Sequence, residues 1–312
     1  MSANLSTPPS GFFNIDKPLG ITSHDVVDRV RRVVKSRQVG HAGTLDPLAT
    51  GVLIVCVGAA TRLSDYVMSD TKSYTAIVQL GIETDTYDAE GAILATADTT
   101  HLTLESIEAA LALMRGAIQQ LPPAYSAIKQ NGRKLYELAR AGETVIVEPR
   151  AVTIHSLTVT AWHPPDLTLT VACSAGTYIR SIAHDLGAAL GVGGHLIGLV
   201  RTASGDPQTS AFILANAVSL DRLMTSDQPT SFLIDPARAL SKYPSITVNA
   251  AQVVTIIQGR ALPVEDFFPA DAGQPPSDPL MAYRETATGA QLVAICELRG
   301  DKLHPRKVFV QA

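Results

Sequence analysis

Asp46 is the one carboxylate in GHAGTLDPLATG, residues 40–51, among small, apolar and hydroxyl side chains and a single histidine, His41. Two uses suit a lone carboxylate there. In the first it does no chemistry: Asp-Pro opens turns, and an Asp side chain caps a turn or a helix start. In the second it is a nucleophile. An aspartate of ordinary pKa, about 3.9, is ionised at neutral pH and needs no base to activate it. Burial raises that value and a nearby guanidinium lowers it, so a working site pairs Asp46 with an arginine from elsewhere in the chain. Paired-carboxylate hydrolysis, as in glycosidases, needs a second acid at a set distance, which sequence does not reveal.

Residues 1–10 read as a loose tail. FFNIDKPLGITS gives a short strand, a Lys-Pro turn and a helix cap at Thr22 or Ser23. Val26, Val27, Val30, Val33 and Val34 then recur at the spacing of one buried helical face. VLIVCVG, beginning at Val52, is apolar without alternation, as in a strand buried on both faces. SYTAIVQLG is another strand, followed by the acidic loop GIETDTYDAEG. Leu104, Ile107, Leu111 and Met114 mark a helix, and AVTIHSLTVTAW with LTLTVACSAG a hairpin. GTYIRSIAHDLG leads into a helix with Gly187 as its C-cap. Tyr178 and Arg180, two positions apart, share a face only if the segment before that helix is extended. HLIGLVRTASG is one more strand. Helices and strands mix without regular alternation, so the reading is α+β, not Rossmann. A boundary falls near Tyr243-Pro244, and the remainder has β-like stretches at 245–248, 291–297 and 307–310 around the loop PADAGQPPSDP.

The 312 residues are 46% hydrophobic and 17% charged, with net charge −4, which fits a folded protein with a large core. No global basic excess points to nucleic acid, but Lys129, Arg133, Lys134 and Arg140 crowd one segment with Tyr125 and Tyr136 interleaved. Local basic patches bind polyanions even on an acidic protein. Cys56, Cys173 and Cys296 have neither disulfide nor zinc spacing. There is no P-loop, and the N-terminus lacks a signal-peptide pattern, so a cytoplasmic protein without a membrane span is expected.

GHAGTLDPLATGVL resembles the signature loop of the TruB family of tRNA pseudouridine synthases. NIDKPLGITS, KSYTAIVQLGIETDTYDAEG, PPAYSAIKQNGRKLYELARAG, CSAGTYIRSIAHDLG and GGHLIGLVRTASG resemble further family motifs, in family order over about residues 11–205. The resemblance implies a mixed, largely antiparallel central sheet with flanking helices, the pseudouridine synthase fold. It implies a catalytic domain at 11–243 with an RNA-binding insertion at about 120–150, and a small β-rich, PUA-like domain at 244–312. The implied activity isomerises uridine 55 in the tRNA T-loop to pseudouridine.

By the same resemblance Asp46 is the nucleophile, attacking C1′, attacking C6 or abstracting a proton. Arg180 is its partner, with Tyr178 beside it. Tyr74 stacks on the flipped uracil, Leu199 walls the base pocket, and His41 contacts RNA beside the flipped nucleotide. Lys129, Arg133 and Lys134 hold tRNA phosphates. The rearrangement involves no net redox change or group transfer, so no cofactor or metal is expected. The partner is the T-arm of tRNA, with no obligatory protein partner, and the chain is expected to act as a monomer. Alternatives are a non-catalytic tRNA-binding or folding helper, a guide-RNA-dependent relative, and a carbohydrate hydrolase.

Overall fold

A computed structural model of the chain describes residues 9–68, 71–123, 129–130, 133–134, 147–269, 278–287 and 289–310. Its main element is a mixed sheet with helices packed against it. The N-terminal strand Gly11–Lys17 pairs antiparallel with Ala49–Val57. Ala49–Val57 runs parallel to Gly194–Ser204, which is antiparallel to Lys72–Leu80. Asp166–Cys173, Arg150–His163 and Gly116–Gln120 extend the sheet, each antiparallel to the strand before it.

Ala49–Val57 is buried on both faces, and its uninterrupted apolar sequence follows from that. Leu53, Val55 and Val57 join the core under the helices. Val52, Ile54 and Cys56 join a second core shared with Met281, Tyr283 and Ile295 of the C-terminal sheet.

The helix Ser23–Val34 starts at Thr22, whose side chain caps it in a reciprocal box with Asp25. It buries Val26, Val27 and Val30, while Val33 and Val34 pack at the edge. The helix Ile179–Ala189 buries Ile179, Ile182, Ala183 and Leu186 as expected. The C-cap placed at Gly187 needs correcting, because the helix continues to Ala189 and Leu190 caps it. A Cβ on Gly187 would lie 2.1 Å from the backbone of both Gly193 and Gly194. That glycine is small because the helix presses on the incoming strand, not because the chain turns there.

Four neighbouring strands share one rung. Lys17 lies opposite Gly51, Gly51 opposite Arg201, and Arg201 opposite Tyr74. In-register residues of adjacent strands project to the same face. Gly51 has φ 91, and a Cβ there would meet the Arg201 carbonyl at 2.4 Å, so the two strands close only over glycine. Leu199, opposite Ala49 and Ala76, lies on the same face as Arg201.

The C-terminal sheet runs Ser245–Thr247, Leu280–Thr286, Gly289–Arg299, Lys302–Val308, Leu262–Pro263. It confirms a β-rich unit but adds the helix Ala250–Ile257 and the strand Leu280–Thr286, neither predicted from sequence. Lys129–Gln130 and Arg133–Lys134 pair antiparallel. The sequence also suggests a short helix near Lys134–Arg140; of that stretch only Lys134 is described, in the second of these strands. No helix among the described residues is long and apolar enough to cross a membrane.

Candidate active site

The loop that carries Asp46 has a partner for every carbonyl from Gly43 to Pro47. Arg201 donates from Nη2 to Gly43 at 3.2 Å and from Nη1 to Thr44 at 3.4 Å, while its Nε holds Val52 at 2.6 Å. The Ser23 hydroxyl donates to the Leu45 carbonyl and accepts from the Leu45 amide, at 3.1 and 2.9 Å. The Ala49 amide closes on Asp46 at 3.0 Å, and the Gly20 amide on Pro47 at 2.9 Å. Lys17 Nζ lies 3.5 Å from the same Pro47 carbonyl and donates to Pro18 and Ile21 at 3.0 and 2.7 Å. A loop with its carbonyls satisfied by buried side chains and neighbouring amides holds one shape.

Arg201 and Lys17 are 2% and 0% exposed. Burying an ammonium lowers its pKa, and Arg201 adds to that while Asp46 opposes it, which leaves Lys17 at about 8 instead of 10.5. Between about pH 8 and 10.5 the unfolded chain keeps a proton that the folded chain has released. Through this group global stability therefore rises with pH over that range. Turnover should fall as pH rises through about 8, because neutral Lys17 holds the loop less firmly. We expect kcat to drop about tenfold as pH passes 8, with melting temperature not falling alongside it. In Lys17→Met that alkaline limb should vanish; an unchanged limb would assign it to another group.

Asp46 leaves this framework with its side chain 41% exposed, against Arg180 at 7%. Arg180 Nε meets Asp46 Oδ2 at 3.0 Å. Its Nη1 meets Asp88 Oδ2 at 3.4 Å and donates to the Thr86 carbonyl at 3.1 Å. One guanidinium thus joins the open carboxylate to a buried one. Asp88 belongs to the acidic loop, where Thr86 and the Glu90 amide donate to its Oδ1 at 2.5 and 3.1 Å.

Tyr178 is the extended N-cap of the helix Ile179–Ala189, and Arg180 is the second helical residue. The expectation that both lie in an extended segment is corrected. Only the cap residue is non-helical, and this is enough to bring both side chains to one cavity. Gln120 fixes the cap by accepting from the Tyr178 amide at 2.8 Å and donating to its carbonyl at 2.9 Å.

The cavity, about 470 Å³, is walled by the 43–46 loop, Tyr74, Tyr178, Arg180, Leu199 and Arg201. Burial pushes the Tyr74 phenol above its usual value, with the Arg201 guanidinium opposing, so the ring stays neutral. The cavity offers an aromatic wall, an aliphatic wall and one carboxylate fixed by an arginine. No group of three or more His, Cys, Asp or Glu suited to a metal occurs among the described residues.

Asp46, Tyr74, Tyr178, Arg180 and Leu199 are therefore brought together. His41 is not among the residues lining the cavity; it sits on the strand Val39–Ala42 opposite Val55. Burial lowers its pKa, and its Nδ1 has no hydrogen-bond partner among the described residues. The side chains of Lys129, Arg133 and Lys134 lie outside the described residues. Sequence reasoning missed Arg201, Ser23 and the tie from Arg180 to Asp88. A charge inside the apolar strand HLIGLVRTASG was the available signal for Arg201. Arg201→Met should cost about 3 kcal/mol in stability, since three carbonyls lose their donor. Thermal melting checks this, and a variant as stable as the parent would remove the brace.

Two solved structures share this fold at TM-score 0.71: "Structure of H/ACA RNP bound to a substrate RNA containing 2'-deoxyuridine" and "Crystal Structure of a Cbf5-Nop10-Gar1 Complex". They are 23% and 24% identical, and each comparison covers 96% of this chain and 85% of the other. With the mixed sheet and its added β domain, this likeness defines the class of fold as that of these two structures.

The family follows from sequence. The profile "TruB family pseudouridylate synthase (N terminal domain)" matches residues 31–179. A tRNA pseudouridine synthase B of Microcystis aeruginosa is 46% identical over 82% of this chain and 85% of its own. Those of Syntrophotalea carbinolica and Gloeobacter violaceus are also 46% identical, over 77% and 81% of this chain and 77% and 86% of theirs. The chain belongs to the TruB family of pseudouridine synthases.

Proposed function

We propose that this chain converts uridine 55 in the T-loop of tRNA to pseudouridine, acting without a guide RNA. The observation that carries this is the Asp46–Arg180 pair facing a cavity walled by Tyr74 and Leu199. The relatives' shared name, tRNA pseudouridine synthase B, supplies the substrate class.

The target base leaves its stack, at a cost of a few kcal/mol, and enters the cavity. Tyr74 stacks on it, a contact of about 1–3 kcal/mol in comparable sites. Leu199 closes the other side, and Tyr178 and Arg180 fix the carboxylate end. Asp46 acts as the nucleophile. The N1–C1′ bond breaks, the uracil turns, C5 bonds to C1′, the C5 proton leaves and N1 gains one. Arg201, Ser23 and Lys17 keep the loop from moving while the base is detached.

His41 contacts the RNA beside the flipped nucleotide. Lys129, Arg133 and Lys134 hold phosphates, which positions RNA without reading its sequence. Residues 11–243 form the catalytic domain, and 244–312 a PUA-like domain. The protein works as a monomer in the cytoplasm.

The test is an unmodified tRNA transcript incubated with the purified chain alone, with pseudouridine mapped by nucleotide. The expected product is one pseudouridine at position 55. Binding without product would favour a folding helper, and product only with added guide RNA would favour the ribonucleoprotein type.

A further inference from the structure

The Asp46–Arg180 pair depends on a loop that the cavity does not touch. Arg180 is held by the Thr86 carbonyl and the Asp88 carboxylate, so the path of residues 83–88 sets where its guanidinium lies. That path includes Tyr87 at φ 64, a left-handed conformation that is costly for a bulky residue. The Leu196 amide donates to the Tyr87 carbonyl at 3.0 Å, and Thr84 donates to the Asp88 carbonyl at 2.8 Å. The Tyr87 side chain has a partner too. Its ring stacks on His184, with centroids 3.9 Å apart and planes 23° from parallel.

His184 follows Arg180 by four residues, on the same helix face. Its Nδ1 lies 3.1 Å from Asp185 and its Nε2 3.6 Å from Glu83. We propose that His184 is a positioning residue for the reaction: stacked on Tyr87 and paired with Glu83, it clasps the 83–88 loop one turn beyond Arg180 and so fixes the Asp46–Arg180 geometry. This rests on the proposed pseudouridine synthase activity.

The groups facing the ring are Glu83 from the strand Ile82–Thr84, Tyr87 from the loop and Asp185 from its own helix. The bond to Asp185, with the charges of Asp185 and Glu83, raises the imidazole pKa against the effect of burial. When protonated, the ring suits both the carboxylates and the tyrosine face. As pH rises through that raised value the charge is lost and the clasp loosens.

The test compares the parent with His184→Gln and Tyr87→Leu. Readouts are kcat and KM on tRNA from pH 5.5 to 8, and solvent exchange of the Arg180 Nε–H by NMR in the free protein. We expect His184→Gln to lower kcat about fivefold at pH 6 with KM nearly unchanged, as for an interaction outside the binding surface. The parent's decline in kcat as pH rises past the ordinary imidazole range should be absent from His184→Gln. Arg180 Nε–H should exchange about fivefold faster in both variants. Parent-like kcat, pH profile and exchange in His184→Gln would overturn the clasp. A parent that makes no pseudouridine would sink the proposed activity instead, and the exchange rates would still decide whether His184 holds Arg180.

Discussion

Asp46→Asn should lower kcat by at least about 10⁴-fold while tRNA affinity changes less than about threefold. The asymmetry follows from how the loop is held. The ties from Gly43 to Pro47 all run to backbone carbonyls or amides, and none uses the Asp46 carboxylate. The amide therefore sits on an intact loop in the same cavity, and its carbonyl oxygen still accepts from Arg180. Only the anionic nucleophile is gone. Single-turnover tritium release from C5-labelled uridine in tRNA measures the step, and filter binding measures the complex. Release within about tenfold of the parent would remove Asp46 from the chemistry. Loss of binding as large as the loss of release would make it a structural residue.

Arg180→Met should lower kcat by about 10³-fold and also destabilise the fold by about 3–5 kcal/mol. The two losses have different origins, and a second change separates them. Asp88 has a side chain only 7% exposed, and removing the guanidinium leaves that carboxylate buried without its cation. Converting both partners to neutral groups is far less costly than deleting one. Arg180→Met combined with Asp88→Asn should therefore recover most of the lost stability and none of the lost turnover. Arg180→Lys should also fail in turnover. A point charge cannot reach Asp46, Asp88 and the Thr86 carbonyl together as a planar fork does. If the double variant regained activity along with stability, Arg180 would act through folding alone.

The two residues in these predictions were legible before any coordinates. Asp46 stood out because a carboxylate in an uncharged loop needs a reason and then a cation; that the cation is Arg180 was legible only through the motif CSAGTYIRSIAHDLG. Tyr74 and Leu199 were legible only through the motifs, since each also reads as an ordinary strand residue. The loop's anchors were not legible. Arg201 is 157 residues from Thr44, and the rung linking Lys17, Gly51, Arg201 and Tyr74 exists only once four strands are in register. Gly187 read as a helix stop because local signals cannot distinguish a glycine that ends a helix from one that lets a strand approach. Arg180 fell inside the helix because the cap, Tyr178, came at least two residues earlier than the Tyr-x-Arg spacing suggested. In the C-terminal segment no element was read at AAQVVTII, whose β-branched residues mask helical character, whereas the Asn249 capping box starts a helix there.

The central claim is that a uridine extruded from the T-loop lies against the Asp46 carboxylate. A crystal structure of the chain with a T-arm stem-loop tests it directly when 5-fluorouridine, whose fluorine replaces the departing C5 proton, stands at the target position. The account predicts the pyrimidine turned out of the loop between Tyr74 and Leu199. A carboxylate oxygen of Asp46 should then lie about 3–3.5 Å from the reacting nucleotide, or be bonded to it. A target base still stacked within the RNA loop, with Asp46 facing solvent, would contradict it.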